Sequence, residues 1–226
     1  MKNPLNICNK KILIVAEIGN NHEGNFNTAK ELIKKAAECK VDAVKFQTFI
    51  PNLFYSISDK KKLKRLEKFK FSFQQFKKLA EIAKKKNLIF FSTPLDLVSA
   101  ANLNKIQNVF KIASSDNNFF ELIDLVSSYG KDLIVSTGYA DLKLVKQIQK
   151  RVFNIWRKKK IKSNLAFLHC VSSYPTNFDE SNIFTIKTLK QKIKKSIIGY
   201  SDHTKGIEAC LLSVAMGSRI IEKHFT

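Results

Sequence analysis

The chain has 226 residues, 44% of them hydrophobic and 26% charged, proportions that suit one large α/β domain able to bury its own core. No stretch approaches the ~18 uninterrupted apolar residues of a membrane-spanning helix, and residues 1–10 lack the apolar centre of a signal peptide. The expectation is therefore a cytoplasmic protein with no membrane partner. Lysine and arginine outnumber acidic residues 40 to 19, for a net charge of +21. The basic runs at 60–70, 84–86, 157–162 and 190–195 hold no zinc finger, RNP motif or recognition helix, so the charge predicts acidic metabolites rather than nucleic acid as partners. Cys8, Cys39, Cys170 and Cys210 lie far apart without a CxxC pair, which suggests reduced thiols and neither a disulfide framework nor a zinc site.

Along the chain one unit recurs, an apolar run that ends in polar residues and leads into an amphipathic helix. The first run, ILIVAEIG (12–19), precedes a helix with Ala29, Leu32, Ile33, Ala36 and Ala37 on one face and Asn27 or Thr28 as its cap. The second, AVKFQTF (43–49), is followed by an excursion over 50–70 long enough to be a substrate-covering loop. Ser72 opens the next helix, with Gln75 completing a capping box and Phe76, Leu79, Ala80 and Ala83 facing inward. LIFFSTP (88–94) and VFKIAS (109–114) come next, and the helix after them ends at Gly130, a natural C′ residue. DLIVSTG (132–138) leads into a long basic helix capped by Asp141, and LAFLHC (165–170), SIIGY (196–200) and the run at 220–221 complete a set of eight.

Eight β units separated by helices predict a (β/α)₈ barrel, one domain over 1–226. An open doubly wound sheet is the alternative, but the turn after its first strand normally carries GxGxxG, and here that position reads EIGNNHEG (17–24).

In such barrels the chemistry lies at the C-terminal ends of the strands. The polar residues there are Glu17; Lys45 and Gln47; Thr93; Lys111 and Ser114; Ser136 and Thr137; residues 172–174; Ser201 and His203; and Glu222 and His224. Two lysines among hydroxyls at a buried mouth call for an anion, phosphate together with carboxylate; a salt bridge across the barrel to Glu17 or Glu222 is the plainer alternative. His203 and His224 end neighbouring strands and could hold an exchangeable divalent metal, with Asp202, Glu222 or substrate adding a ligand. His169 reads as a hydrogen-bonded core residue, and His22 as a weaker candidate.

The segments AEIGNNHEGN, VKFQTF, FSTP, KIASSDNNFFELI, STGYADL, HCVSSYPT, GYSDHTKG and EKHFT, in this order across 12–226, resemble the sialic acid synthase (NeuB) family. The resemblance implies a barrel enzyme that condenses phosphoenolpyruvate with an N-acylated amino-sugar aldehyde, such as N-acetylmannosamine or a bacterial analogue, to give a nonulosonic acid and phosphate. It assigns Glu17 as the catalytic carboxylate, Lys45, Thr93, Lys111, Ser114, Ser136 and Ser201 to phosphoenolpyruvate, and Gln47 and Tyr174 to the sugar. It assigns His203 and His224 to Mn²⁺, with Mg²⁺ or Co²⁺ as alternatives.

The sequence departs from the family at Glu121, near a usual proline, and at Ser172, where some members carry asparagine. Family members also continue past the last strand with an eighth helix, an acidic loop and a small antifreeze-like domain that reaches over the partner's site in a homodimer. The chain ends at Thr226, so the expectation is a barrel without its final helix and with exposed apolar surface beside strands eight and one. The alternative function is a truncated, catalytically incompetent homologue acting as an interaction module.

Overall fold

The computed structural model describes residues 3–56 and 58–226. Eight parallel strands, β1 (Leu13–Gly19), β2 (Ala43–Thr48), β3 (Ile89–Pro94), β4 (Val109–Ile112), β5 (Asp132–Ser136), β6 (Leu165–Cys170), β7 (Ile197–Asp202) and β8 (Ile220–His224), form a nearly closed barrel with the predicted (β/α)₈ architecture. The hydrogen-bonded order is β3-β2-β1-β8-β7-β6-β5-β4. Gln107, just before β4, stitches the two ends together: its Oε1 accepts from the Ser92 N–H at 2.8 Å and its Nε2 donates to the Ser92 carbonyl at 3.1 Å. A buried side-chain amide therefore satisfies backbone groups that an eighth ladder would otherwise pair.

Successive strand residues point to opposite faces, and this alternation divides the barrel interior into layers. Leu13 and Val15, Ala43, Phe91, Val109, Ile134, Ala166 and Leu168, and Ile220 fill the lower interior as one apolar cluster. One step further along the same strands the inward residues become Glu17, Lys45, Thr93, Lys111, Ser136, Ser201 and Glu222, all buried. A 3₁₀ turn, Pro4–Asn9, closes the bottom; it buries Leu5 and Cys8 in the apolar cluster, and the Leu5 N–H donates to Asp132 Oδ2 at 2.7 Å. Apolar packing below and polar groups above confine the chemistry to the C-terminal mouth.

Outside the strands lie α1 (Phe26–Glu38), α2 (Pro51–Phe54), α3 (Lys60–Phe69), α4 (Phe73–Lys85), α5 (Leu97–Leu103), α6 (Phe120–Ser128), α7 (Leu142–Lys158), α8 (Phe184–Lys192) and α9 (Glu208–Ala215). The Ser72–Gln75 capping box forms as predicted; Asp141 caps α7 by accepting from the Leu144 N–H, and Gly130 takes a left-handed φ of 70° just past α6. Asn25, not Asn27 or Thr28, caps α1, its Oδ1 accepting from both of their N–H groups. The 50–70 excursion is α2 and α3 rather than an irregular loop; Ile57 within it lies outside the described residues. Asp59 caps α3 and Leu66 is its buried contact, so this basic segment is a surface helix with one anchored face.

On the outer surface Ile14 of β1 is 39% exposed, and Leu211 and Leu212 of α9 are 62% and 44% exposed. That matches the apolar exposure expected beside strands eight and one, although Ile221 of β8 is buried. No helix of the described residues is long and apolar enough to cross a membrane.

Gly199 sets the closeness of β6, β7 and β8. A Cβ there would lie 2.6 Å from the Ile220 carbonyl oxygen and 2.6 Å from Leu168 Cδ2. Gly199→Ala should therefore destabilise the chain by ~1–3 kcal/mol through overpacking, read as a shifted midpoint in urea; an unchanged midpoint would show that the seam is loosely packed.

Candidate active site

The C-terminal mouth of the barrel holds a cavity of about 180 Å³. The eleven residues assigned by the family resemblance line it, Glu17, Lys45, Gln47, Thr93, Lys111, Ser114, Ser136, Tyr174, Ser201, His203 and His224, whereas the strand-end candidates Thr137, Ser172 and Ser173 do not. Register explains much of the convergence. Glu17 of β1 lies opposite Lys45 of β2 on one side and His224 of β8 on the other, while Gln47 pairs with Thr93 and Ser201 with Glu222.

Four buried charged groups form its floor. Lys45 Nζ lies 3.1 Å from Glu17 Oε2 and 3.4 Å from Glu222 Oε1, and Lys111 Nζ lies 3.2 Å from the same Glu222 oxygen. Ser201 Oγ donates to that oxygen at 3.0 Å. The salt bridges to Glu17 and Glu222 that the sequence offered as the plainer reading of the lysines are thus present, in the same cavity that would receive an anion. Burial alone would push Glu222 up, but Lys111 and Lys45 outweigh it and hold its carboxyl well below the usual range. For Glu17 burial wins: Lys45 offsets it only in part, the Glu222 charge adds to it, and the carboxyl is raised. Burial likewise lowers Lys111, whereas at Lys45 the two carboxylates overcome burial and raise the ammonium. When Glu17 keeps its proton, two ammonium groups share one carboxylate, and the floor carries surplus positive charge.

Hydroxyls surround this charge. Gly138 donates its N–H to Ser114 Oγ at 3.2 Å, and a Cβ at Gly138 would stand 2.6 Å from that oxygen and 2.5 Å from Ser172 Oγ. Only a hydrogen at that position leaves room for both hydroxyls. The oxygens Ser136 Oγ, Ser172 Oγ and Glu222 Oε2 are buried without a hydrogen-bond partner, which marks the pocket as one built for a polar ligand. On the opposite wall Asn20 Nδ2 donates to Gln47 Oε1 at 2.7 Å, so Gln47 keeps its Nε2 hydrogens for other acceptors. Gly19, at a φ of 51°, forms the irregular step between β1 and β2 just past Glu17.

The two histidine rings lie 5.5 Å apart between centroids, with the Tyr174 ring 4.0 Å from His203 and 5.8 Å from His224. Val171 O lies 2.6 Å from His203 Nδ1; a carbonyl accepts only, which places the proton on Nδ1 and leaves the Nε2 lone pair free. Burial, reinforced by His203, pushes His224 down to about 4, so its imidazole is neutral. Burial opposes it, but Cys170 and the Val171 carbonyl hold His203 above its ordinary value, so a divalent transition ion on both rings would take the place of its proton. Among the described residues no group of three His, Cys, Asp or Glu side chains converges as a metal cage. The donors therefore fit an ion that is weakly held and completed by water or substrate oxygens.

The protein carboxylates expected to help are committed elsewhere: Glu222 to the lysines and Asp202 to Lys223. His169 is the core residue predicted, its Nε2 2.8 Å from the Ser181 carbonyl. His22 is buried, stacked 4.2 Å from Phe71, and its Nδ1 accepts from the Gly24 N–H, so it shapes the turn after β1 outside the cavity. Sequence reasoning missed Cys170, whose Sγ lies 3.9 Å from His203 Nδ1. The signal was present, because strand alternation puts Cys170 on the inward face with Ala166 and Leu168.

The family model described as NeuB matches residues 32–226. An uncharacterized protein of Methanocaldococcus jannaschii is 43% identical over 222 residues, which cover 94% of this chain and 61% of that one. The N,N'-diacetyllegionaminic acid synthase of Campylobacter jejuni is 37% identical over 232 residues, covering 96% of this chain and 68% of the synthase. The chain thus spans about 61–68% of the length of these curated relatives. The crystal structure of N-acetylneuraminic acid (sialic acid) synthetase from Leptospira borgpetersenii, in complex with citrate, superposes with a TM-score of 0.88 at 39% identity, covering 96% of this chain and 74% of that one. With a family match over most of its length and the same barrel, the chain belongs to the NeuB family.

Proposed function

We propose that the site condenses phosphoenolpyruvate with an N-acylated amino-sugar aldehyde, giving a nonulosonic acid and inorganic phosphate. The observation that carries this reading is the pair of buried lysines, Lys45 and Lys111, sharing Glu222 beneath a ring of partly unsatisfied hydroxyls. The names of the legionaminic and sialic acid enzymes among the relatives support the product class. Phosphoenolpyruvate carries a carboxylate and a phosphate on the same carbon and matches two cations on different strands better than a singly charged ligand does. Ser114, Ser136, Ser201 and Thr93 supply hydroxyl donors around them. Gln47 and Tyr174, on the outer walls, are left for the sugar.

In this reading carbon 3 of phosphoenolpyruvate attacks the aldehyde carbon, forming the new C–C bond while the aldehyde oxygen takes up a proton. Positive charge is left at carbon 2, and Glu17 stabilises it or takes a proton from the water that adds there. Breaking the bond between carbon 2 and the phosphate oxygen then releases phosphate and leaves the 2-keto acid. A divalent ion on His203 and His224, Mn²⁺ in our reading, would supply Lewis-acid polarisation of the aldehyde when bound. The pocket walls hold the enol and aldehyde carbons together, and that positioning lowers the barrier independently of the acid–base groups.

The direct test is phosphate release from phosphoenolpyruvate in the presence of Mn²⁺ and a panel of amino sugars headed by N-acetylmannosamine; neither release nor phosphoenolpyruvate binding would remove the reading. Glu17→Gln should lower turnover by ~10²-fold or more while phosphoenolpyruvate affinity by calorimetry stays within a few fold; an unchanged rate takes Glu17 out of the mechanism. Because Glu17 is raised in the folded chain, its contribution to stability is present below the ordinary carboxylate pKa and lost as pH rises through the raised one. The Tm of Glu17→Gln should therefore gain on wild type between pH 5 and 8, and a loss over that range would reverse the assignment. Glu222→Gln strands the buried Lys111 ammonium and leaves Lys45 with Glu17 alone, and should cost ~3–5 kcal/mol. Phosphoenolpyruvate should then raise the variant's Tm by more than it raises that of wild type, whereas an equal rise would mean that the lysines are not the anion's partners.

A further inference from the structure

Asp202 and Lys223 take the outward-alternating positions at the rim of the barrel, where they also border the mouth cavity, one residue before His203 and His224 respectively, and they are direct cross-strand partners in the β7–β8 register. The Asp202 side chain is fully buried beneath α9. A carboxylate there is tolerable only with full hydrogen bonding and a counter-charge, and it has both. Oδ1 accepts from the Tyr200 hydroxyl at 3.0 Å and from the Thr204 N–H at 2.9 Å. Oδ2 accepts from Cys210 Sγ at 3.1 Å and from Lys223 Nζ. The same ammonium donates to the Thr204 carbonyl at 2.8 Å. One ion pair therefore ties β8 to β7, to the turn after β7 and, through Cys210, to α9.

That turn carries His203. Its own carbonyl accepts from the Thr176 N–H at 2.9 Å, and its ring is held at Val171. On the other strand His224 follows Lys223 directly; its backbone pairs with Glu17 of β1 on one edge, while on the other edge the ladder to β7 stops at the Asp202–Lys223 pair. We infer that Asp202 and Lys223 are positioning residues, a rivet behind the two imidazoles that holds them 5.5 Å apart at a 45° tilt. Neither needs to touch substrate. The consequence for metal binding rests on the two-histidine reading above; the consequence for ring geometry does not.

The two can be separated with histidine-labelled protein. In wild type the rings of His203 and His224, 5.5 Å apart between centroids, should give a nuclear Overhauser cross-peak without any metal. Lys223→Met keeps the aliphatic stem and loses the bridge; it should lose the cross-peak and bind Co²⁺ at least tenfold more weakly, while phosphoenolpyruvate affinity stays within threefold. Lys223→Arg should retain the cross-peak and bind Co²⁺ within threefold of wild type. Asp202→Asn, close in shape but without the charge, should behave as Lys223→Met does. If the cross-peak survives in Lys223→Met, or if Lys223→Arg loses it to the same extent, the rivet is wrong. If wild type shows the cross-peak but takes up no Co²⁺, the metal reading falls and the rivet is still judged by the cross-peak in the variants.

Discussion

Glu222 Oε1 receives Lys45, Lys111 and Ser201 at one point, and the upper half of the barrel is arranged around that convergence. Two ammonium groups cannot be buried near each other without a shared counter-ion, because like charges in a poorly solvated site repel by several kcal/mol and neither can reach water. Glu222 supplies the counter-ion from β8, and the lysines come from β2 and β4, on different sides of the barrel. The ion cluster therefore ties strands that share no ladder. It also fixes the ordering of the carboxyls, since the group that takes both cations is held below the usual range while burial raises its neighbour Glu17 to about 7.

An arrangement of this kind suits ligand exchange better than permanent structure. An incoming dianion can take over the lysines, and the negative charge of Glu222 then makes its departure easier than it would be from lysines alone. The pocket is not designed for maximum affinity. In the proposed reaction it would bind an anion while keeping a competing carboxylate in place, which is useful where phosphate must leave at the end. The lower barrel makes this possible by packing apolar side chains under the ions, so their only open direction is the mouth.

Much of this was legible in the sequence because a half-buried strand in a barrel alternates strictly. Once ILIVAEIG and AVKFQTF were placed as strands, Glu17, Lys45 and Gln47 had to face inward together at the C-terminal end. The cap residues Ser72 and Asp141 were readable for a similar reason, since their partners lie three residues away. What could not be read depends on separations of the chain that no local pattern encodes. Gln107 mends the gap between β3 and β4 through a bond to Ser92, but as a sequence it is one glutamine in a polar turn. Whether Lys45 answers to Glu17 or Glu222 is decided by the barrel's stagger. At the start of α1 the segment GNFNT offers several residues able to cap, and only packing of Ala29 and Ile33 on the barrel selects Asn25.

The histidines are held differently from the ions beneath them. Lys45 and Glu222 sit within strands paired on both edges and Lys111 on β4, paired on one, whereas His203 follows the last residue of β7 and His224 ends β8, paired there with Glu17 of β1 alone. Strand ends fray, and the two rings gain nothing from one another that would hold them together. Contacts behind them add to that hold. Tyr200, Asp202 and Cys210 on one side and Lys223 on the other form a buried polar cluster whose members are all satisfied, and such a cluster specifies one geometry more sharply than apolar packing does. The mouth of the barrel thus joins a charged floor, set by its strands, to a pair of imidazoles held in part from behind.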